Sequence, residues 1–139
     1  MANRGTMKFL LDTNIFLEII LEQEKAQQAR DLLSRAGEYE FFVSDYSLHS
    51  IGLLLFRREQ HDVFRRFLVD LLFNAGVRLI ALSAEEMEEV LLPARRFNLD
   101  FDDAYQYTIA ECYGLAIVSF DTDFDRTERG RTAPDVVLP

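Results

Sequence analysis

Cysteine is nearly missing from this 139-residue chain: Cys112 stands alone. One thiol excludes an internal disulfide and a zinc site built on cysteine, and it fits a reducing cytoplasm. Long apolar runs are missing as well. The best candidate, Ile51 to Phe56, falls far short of the ~18 residues that a membrane helix needs. Met1 to Lys8 holds no apolar core of the kind a secretory leader carries, so neither export nor a membrane location is expected. No glycine-rich phosphate loop occurs, which removes P-loop and dinucleotide-binding readings. Positive charge is in deficit: 15 Lys+Arg face 24 Asp+Glu, for a net charge of -9. A clamp that holds nucleic acid by bulk charge alone is therefore excluded. The question becomes where those acids fall.

What is present is globular. Hydrophobic residues at 49% and charged residues at 28% argue against disorder, and the length suits one domain. No repeat or linker divides the chain, so residues 7–139 read as a single domain and 1–6 as a flexible start. Short apolar runs at Phe9-Leu10-Leu11, Phe41-Phe42-Val43, Arg78–Leu82 and Leu115–Ser119 predict strands, with a weaker terminal strand at Val136-Val137-Leu138. Helical spacing marks the segments between them: Ile15–Leu21, Ala26–Ala36, Leu48–Phe56, Val63–Leu72, the stretch after Ser83, and Ala104–Tyr113. Pro93 is expected to bend or restart the fifth of these. Apolar runs without alternation, separated by helices, predict an α/β fold of three layers with a central parallel sheet of four or five strands.

In such a sheet, ligands bind at the carboxyl ends of the strands. Asp12 follows the first strand, Asp121 follows the last strong one, and Asp102-Asp103 opens the helix leading into it. Topology thus brings three distant carboxylates to one edge, with Asp123 and Asp125 just beyond. Taken singly, Asp12 and Asp103 read more readily as helix caps and Asp121 as a turn residue. Their joint placement favours a site. Two carboxylates ~4 Å apart repel by about 4 kcal/mol at an effective dielectric near 20, so the cluster must hold protons or a cation. Oxygen-only ligands suit Mg²⁺ or Mn²⁺, which can activate water and offset charge on a phosphodiester.

Leu10-Leu11-Asp12-Thr13-Asn14-Ile15 resembles the opening of PIN domains, a family of metal-dependent ribonucleases. Phe101-Asp102-Asp103-Ala104 and Ser119-Phe120-Asp121-Thr122-Asp123-Phe124 resemble that family's later acidic motifs, in the same order and spacing. The compact form looks like the toxin half of VapBC toxin–antitoxin pairs. The resemblance implies a PIN-like fold, Mg²⁺ or Mn²⁺ dependence, cleavage of RNA, a cognate antitoxin and a homodimer. By position it assigns Asp12, Asp103 and Asp121 as catalytic metal-site carboxylates and Asp123 as a further ligand, with Thr13 and Asn14 supporting the first. It also implies a Glu on the helix after the second strand, where this chain carries Ser50. Asp45 could replace that Glu if it faces the crevice; neighbouring His49 is rotated away.

Asn14, Ser50, Arg126 and Arg129 are the candidate substrate contacts. The arginine doublets 57–58, 65–66 and 95–96 read as solvated helix faces, and His61 as solvated. The Arg126–Arg131 segment follows the acidic loop and is expected to steer phosphate. Val63 to Phe73 is apolar over a wider arc than core contact needs, which suits a protein interface. A receiver domain would need a lysine after the last strand, and a haloacid-dehalogenase phosphatase Asp-x-Asp after the first; both are missing. The rival function is a PIN-like RNA- or protein-binding regulatory module weakened in catalysis, a reading that Ser50 favours.

Overall fold

Phe9, Leu10 and Leu11 are too apolar to stay in water, and in the computed structural model, which describes residues 7–137, all three are buried in strand β1 (Lys8–Leu11). Parallel to it run β2 (Glu40–Ser44), β3 (Arg78–Ile80) and β4 (Ala116–Val118), in the spatial order β3-β2-β1-β4. Phe9 lies between Phe41 and Ala116 across the sheet, and Leu10 is paired with Phe42 and Ile117.

Helices cover both faces. After β1 come α1 (Thr13–Ile20) and α2 (Ala26–Leu33). After β2 come α3 (Asp45–Arg57) and α4 (His61–Leu68), the latter running on into a π-helical stretch, Val69–Asn74. These helices pack with Phe9, Leu11, Phe41 and Val43 in one core. The second core lies under α5 (Ala84–Glu88), α6 (Leu91–Arg96) and α7 (Phe101–Tyr113), where Leu10 and Ile117 meet Tyr105, Tyr107, Ile109 and Phe124. Alternation along β1 divides its side chains between the cores, so the three-layer α/β/α expectation holds.

Ser83 starts α5 through a reciprocal capping box with Glu86. Pro93 restarts the chain rather than bending a continuous helix: it sits in the first turn of α6, where a missing N–H costs no internal bond. One expectation is overturned. Val136 and Val137 lie in a short helix, α8 (Pro134–Val137), and not in a strand. Pro134 presets the helical φ of a first turn, and the Val136 N–H bonds to the Ala133 carbonyl. Beyond β4 the sheet is continued by a single bridge, Val118 to Thr132, so four strands form it among the described residues. Leu138 and the expected flexible start, residues 1–6, lie outside the described residues. Among the described residues, no helix is long and apolar enough to cross a membrane.

The strand order sets the position of the site. The chain winds outward from β1 to β2 and β3, then crosses back to place β4 on the other side of β1. A crevice opens where the winding reverses, between the carboxyl ends of β1 and β4.

Candidate metal centre

Three carboxylates meet at that reversal. Asp103, Asp121 and Asp123 each offer an oxygen, and the three oxygens lie within 4.8 Å of one another. At an effective dielectric near 20, each such pair repels by about 3 kcal/mol or more. The helix start explains how Asp103 is free to join. Asp100 is the N-cap of α7 and accepts a hydrogen bond from the Asp103 N–H at 3.1 Å, so Asp103 sits inside the first turn with its carboxylate uncommitted to capping. Asp121 caps the 3-10 turn Thr122–Arg126 by accepting from the Asp123 N–H at 2.9 Å, which aims both side chains to one side.

Asp12 stands beside the trio and is 7% exposed. It is also the N-cap of α1, so capping and site membership coincide in one residue. Its Oδ1 accepts from the Thr13 N–H at 2.8 Å and from Gln106 Nε2 at 3.2 Å, and its Oδ2 accepts from Ser119 Oγ at 2.7 Å. Burial pushes its pKa up and the nearby Asp121 charge adds to this, while the bonds from Ser119, Gln106 and Thr13 oppose the rise. Asp103 is raised to about 7, first by burial and then by the charges of Asp100, Asp12, Asp121 and Asp123. Beyond burial, the charge contributions mark carboxylates crowded together without enough positive charge between them.

The donor set is all oxygen, and its uncompensated charge fits a hard divalent cation. Asp103, Asp121 and Asp123, with Asp12 adjoining, are the residues that could hold one. Arg126 Nη1 reaches only to 3.8 Å from Asp123 Oδ1 and offsets part of one charge.

Of the two expected supports, Thr13 bonds Asp12 through its backbone N–H, and Asn14 acts through Ser119 rather than on Asp12 directly. Asn14 Nδ2 donates to Ser119 Oγ at 3.1 Å and its Oδ1 accepts from the Phe120 N–H at 3.2 Å, tying the end of β1 to the end of β4. Both ends of this amide are engaged within the fold. Ser119 is the hub: it donates to Asp12, accepts from Asn14, and accepts from the Asp121 N–H at 2.9 Å. Ser50 and Asp102 both lie beside the Tyr46 hydroxyl, on which they act in opposite directions. Burial and the Asp102 carboxylate push Tyr46 up to about 12, which keeps it a proton donor at neutral pH. Asp45 does not replace the expected Glu; its Oδ1 accepts from the Tyr105 hydroxyl at 2.7 Å and from the Tyr46 N–H.

The arginines of the segment expected to steer phosphate make bonds within the fold. Arg126 donates to the Phe97 and Asn98 carbonyls, at 2.9 and 3.0 Å, where α6 ends and its last carbonyls lack helical partners. Arg129 donates to the Leu115 carbonyl at 2.9 Å, before the amino end of β4 and thus at the opposite end of the strand from the acids. Arg131 binds Asp125 and the Ser119 carbonyl, bracing the acidic loop. His61 packs edge-on to Phe56, and His49 is exposed on α3.

A family model described as PIN domain matches residues 9–130. The chain belongs to the PIN domain family. Among curated proteins none matches the sequence. Solved structures with the same fold include a toxin–antitoxin complex from Klebsiella pneumoniae, 20% identical, with a TM-score of 0.71 over 90% of this chain and 96% of that one. Another is VapC20 of Mycobacterium tuberculosis, a toxin that cleaves the sarcin–ricin loop, 20% identical with a TM-score of 0.73 over 91% of this chain and 99% of that one. A third is VapBC2 of Rickettsia felis bound to promoter DNA, 16% identical with a TM-score of 0.69 over 90% and 96%. In this PIN domain, the neutral residues Gln106, Ser47 and Ser119 hold the acids in place; Ser47 and Ser119 are fully buried and Gln106 is 1% exposed. Ser119 opens the last acidic motif, whereas the sequence signal of Gln106 is only that a polar residue falls on an otherwise buried face.

Proposed function

We infer that residues 7–139 form one PIN-type domain that hydrolyses RNA phosphodiesters with Mg²⁺ or Mn²⁺ and serves as the toxin of a cytoplasmic toxin–antitoxin pair. The observation that carries this reading is the approach of the Asp103, Asp121 and Asp123 oxygens to within 4.8 Å at the sheet reversal. A bound divalent cation supplies Lewis acidity toward a phosphodiester oxygen and lowers the pKa of water beside it. Asp103, Asp121, Asp123 and Asp12 are the residues that would hold it. The Asp103 pKa is raised to about 7, so cation and proton compete for that carboxylate near neutral pH. Asn14 and Ser119 keep the ends of β1 and β4 at fixed separation, and with them Asp12 and Asp121.

The toxin assignment is supported by structural neighbours that are themselves toxins or toxin–antitoxin complexes. A partner, or a second copy, is supported by exposed apolar side chains on α3 and α4 and just after them: Leu53, Phe56, Val63 and Phe73. Ser50 favours a second reading, a PIN domain of reduced catalysis that binds RNA or protein, because serine leaves the crevice one negative charge short of the pattern its family resemblance implies.

One experiment separates the two. Labelled single-stranded and hairpin RNAs are incubated with the protein and Mg²⁺ or Mn²⁺, beside Asp103→Asn, with Mn²⁺ affinity measured on both. Cleavage by the parent that is lost in the variant supports the ribonuclease. Mn²⁺ binding without cleavage supports the second reading. A parent that binds no Mn²⁺ overturns both the metal site and the activity built on it.

A further inference from the structure

One helical turn after Asp103, on the same face of α7, stands Gln106. It is 1% exposed in a core of Tyr105, Tyr107 and Ile109. Its Nε2 donates to Asp12 Oδ1 at 3.2 Å and to Ser47 Oγ at 3.0 Å. Its Oε1 is buried without a partner. An orphaned buried carbonyl opposes folding, and a methionine of similar length would avoid it. What the glutamine supplies in exchange is its two N–H bonds.

The lone pairs of Asp12 show what those bonds do. Oδ1 accepts from the Thr13 N–H and from Gln106 Nε2, which fills both of its lone pairs. Oδ2 accepts from Ser119 Oγ, and among the described residues this leaves it one lone pair. Gln106 is itself held. Ser47 Oγ accepts from Gln106 and from Ser44 Oγ, so its own proton goes to Thr13 Oγ1, 2.7 Å away. The chain of bonds therefore fixes Asp12 from α3, α7 and the end of β4 together.

We propose that Gln106 is a positioning residue: by closing Oδ1 of Asp12 it leaves Oδ2 as the single oxygen able to ligate a divalent cation at the acidic cluster. This rests on the metal-centre reading above. Without the amide, Oδ1 keeps its Thr13 bond but regains a free lone pair, and Asp12 can then present either oxygen to a cation. Removing the outer hydrogen-bond partner of a metal-binding side chain generally weakens metal binding by 10- to 100-fold.

The test is a Mn²⁺ titration by calorimetry on the parent, Gln106→Met and Asp103→Asn. The melting temperature of each is measured in chelator, and the Gln106 side-chain amide of the parent is followed by NMR during a Mg²⁺ titration. The expected result is a Mn²⁺ Kd raised about 10- to 100-fold in Gln106→Met. Its metal-free melting temperature should stay within about 4 °C of the parent, since the orphan leaves with the donors. The amide resonance should shift and saturate together with cation binding. Unchanged Mn²⁺ affinity in Gln106→Met overturns the inference and leaves the metal centre standing. If Gln106→Met does not fold, the amide titration decides, and a resonance that stays still through saturation overturns the inference. If Asp103→Asn binds Mn²⁺ as the parent does, the metal centre fails and this inference fails with it.

Discussion

Asp103 carries the sharpest consequence of the fold at the level of one side chain. Its pKa rises from 3.8 to about 7 because burial and four neighbouring carboxylates disfavour its charge. A raised carboxyl pKa means that the proton favours folding: the contribution is present below 3.8 and is lost as pH climbs through about 7. In chelator, Asp103→Asn should therefore stabilise the protein at pH 8, by about 4 kcal/mol at most, and have little effect at pH 4. Urea denaturation at the two pH values checks this; equal effects at both would contradict the raised pKa. Ser119→Ala should cost about 1–3 kcal/mol and weaken Mn²⁺ binding, because it strips one bond each from Asp12, Asn14 and the Asp121 N–H. Thermal melts and calorimetry on that variant measure both effects. Asp12 and Asp121 were legible in the sequence because a charge that ends an apolar run stands out, and Asp103 because it opens the helix leading into the last strong strand. Gln106 was not, since a neutral polar residue on a helix reads equally well as surface. The carbonyl partners of Arg126 and Arg129, at Phe97, Asn98 and Leu115, were not legible for a related reason: they exist only once the elements have docked.

At the scale of elements, local chemistry decided most boundaries. Ser83 and Gly114 begin and end helices as their residue types predict, and β1, β2 and β4 occupy the apolar runs. Gly114 takes φ +68° at the C-terminus of α7, a left-handed conformation that a side chain resists, and a Cβ there would meet no atom within 4 Å. Gly114→Ala should therefore cost about 1 kcal/mol through backbone strain alone, read as a lower urea midpoint with an unchanged slope. Where local signals compete, the tertiary context wins. Val136-Val137 has the residue preference of a strand, yet Pro134 and the lack of an extended partner beyond Thr132 make it a helical turn. The cap of α7 moved for a similar reason. Asp100, Asp102 and Asp103 could each have capped it; Asp100 does so, which releases Asp103 to the crevice.

For the molecule as a whole, the -9 net charge is not spread evenly, because Asp12, Asp100, Asp103, Asp121 and Asp123 act on one another at one edge of the sheet. A cation that binds there stabilises the folded state by about 2.7 kcal/mol at a hundredfold excess over its Kd. Because Asp103 must lose its proton first, Mn²⁺ should raise the melting temperature more at pH 7.5 than at pH 5. A shift that is equal at both pH values, or larger at pH 5, would argue against Asp103 as a ligand.

The sequence by itself determined the class of the fold, its parallel strands and the acids that close them, because apolar periodicity and chain breaks act over a few residues. It also carried the family motifs in order. Only the tertiary structure decided which carboxylates gather, what restrains them and which basic groups stay near. The bonds that restrain Asp12 join residues far apart in the chain, 94 positions for Gln106 and 107 for Ser119. Such partners meet because the crossover from β3 back to β4 sets the end of the last strand beside the end of the first. No local pattern encodes that meeting.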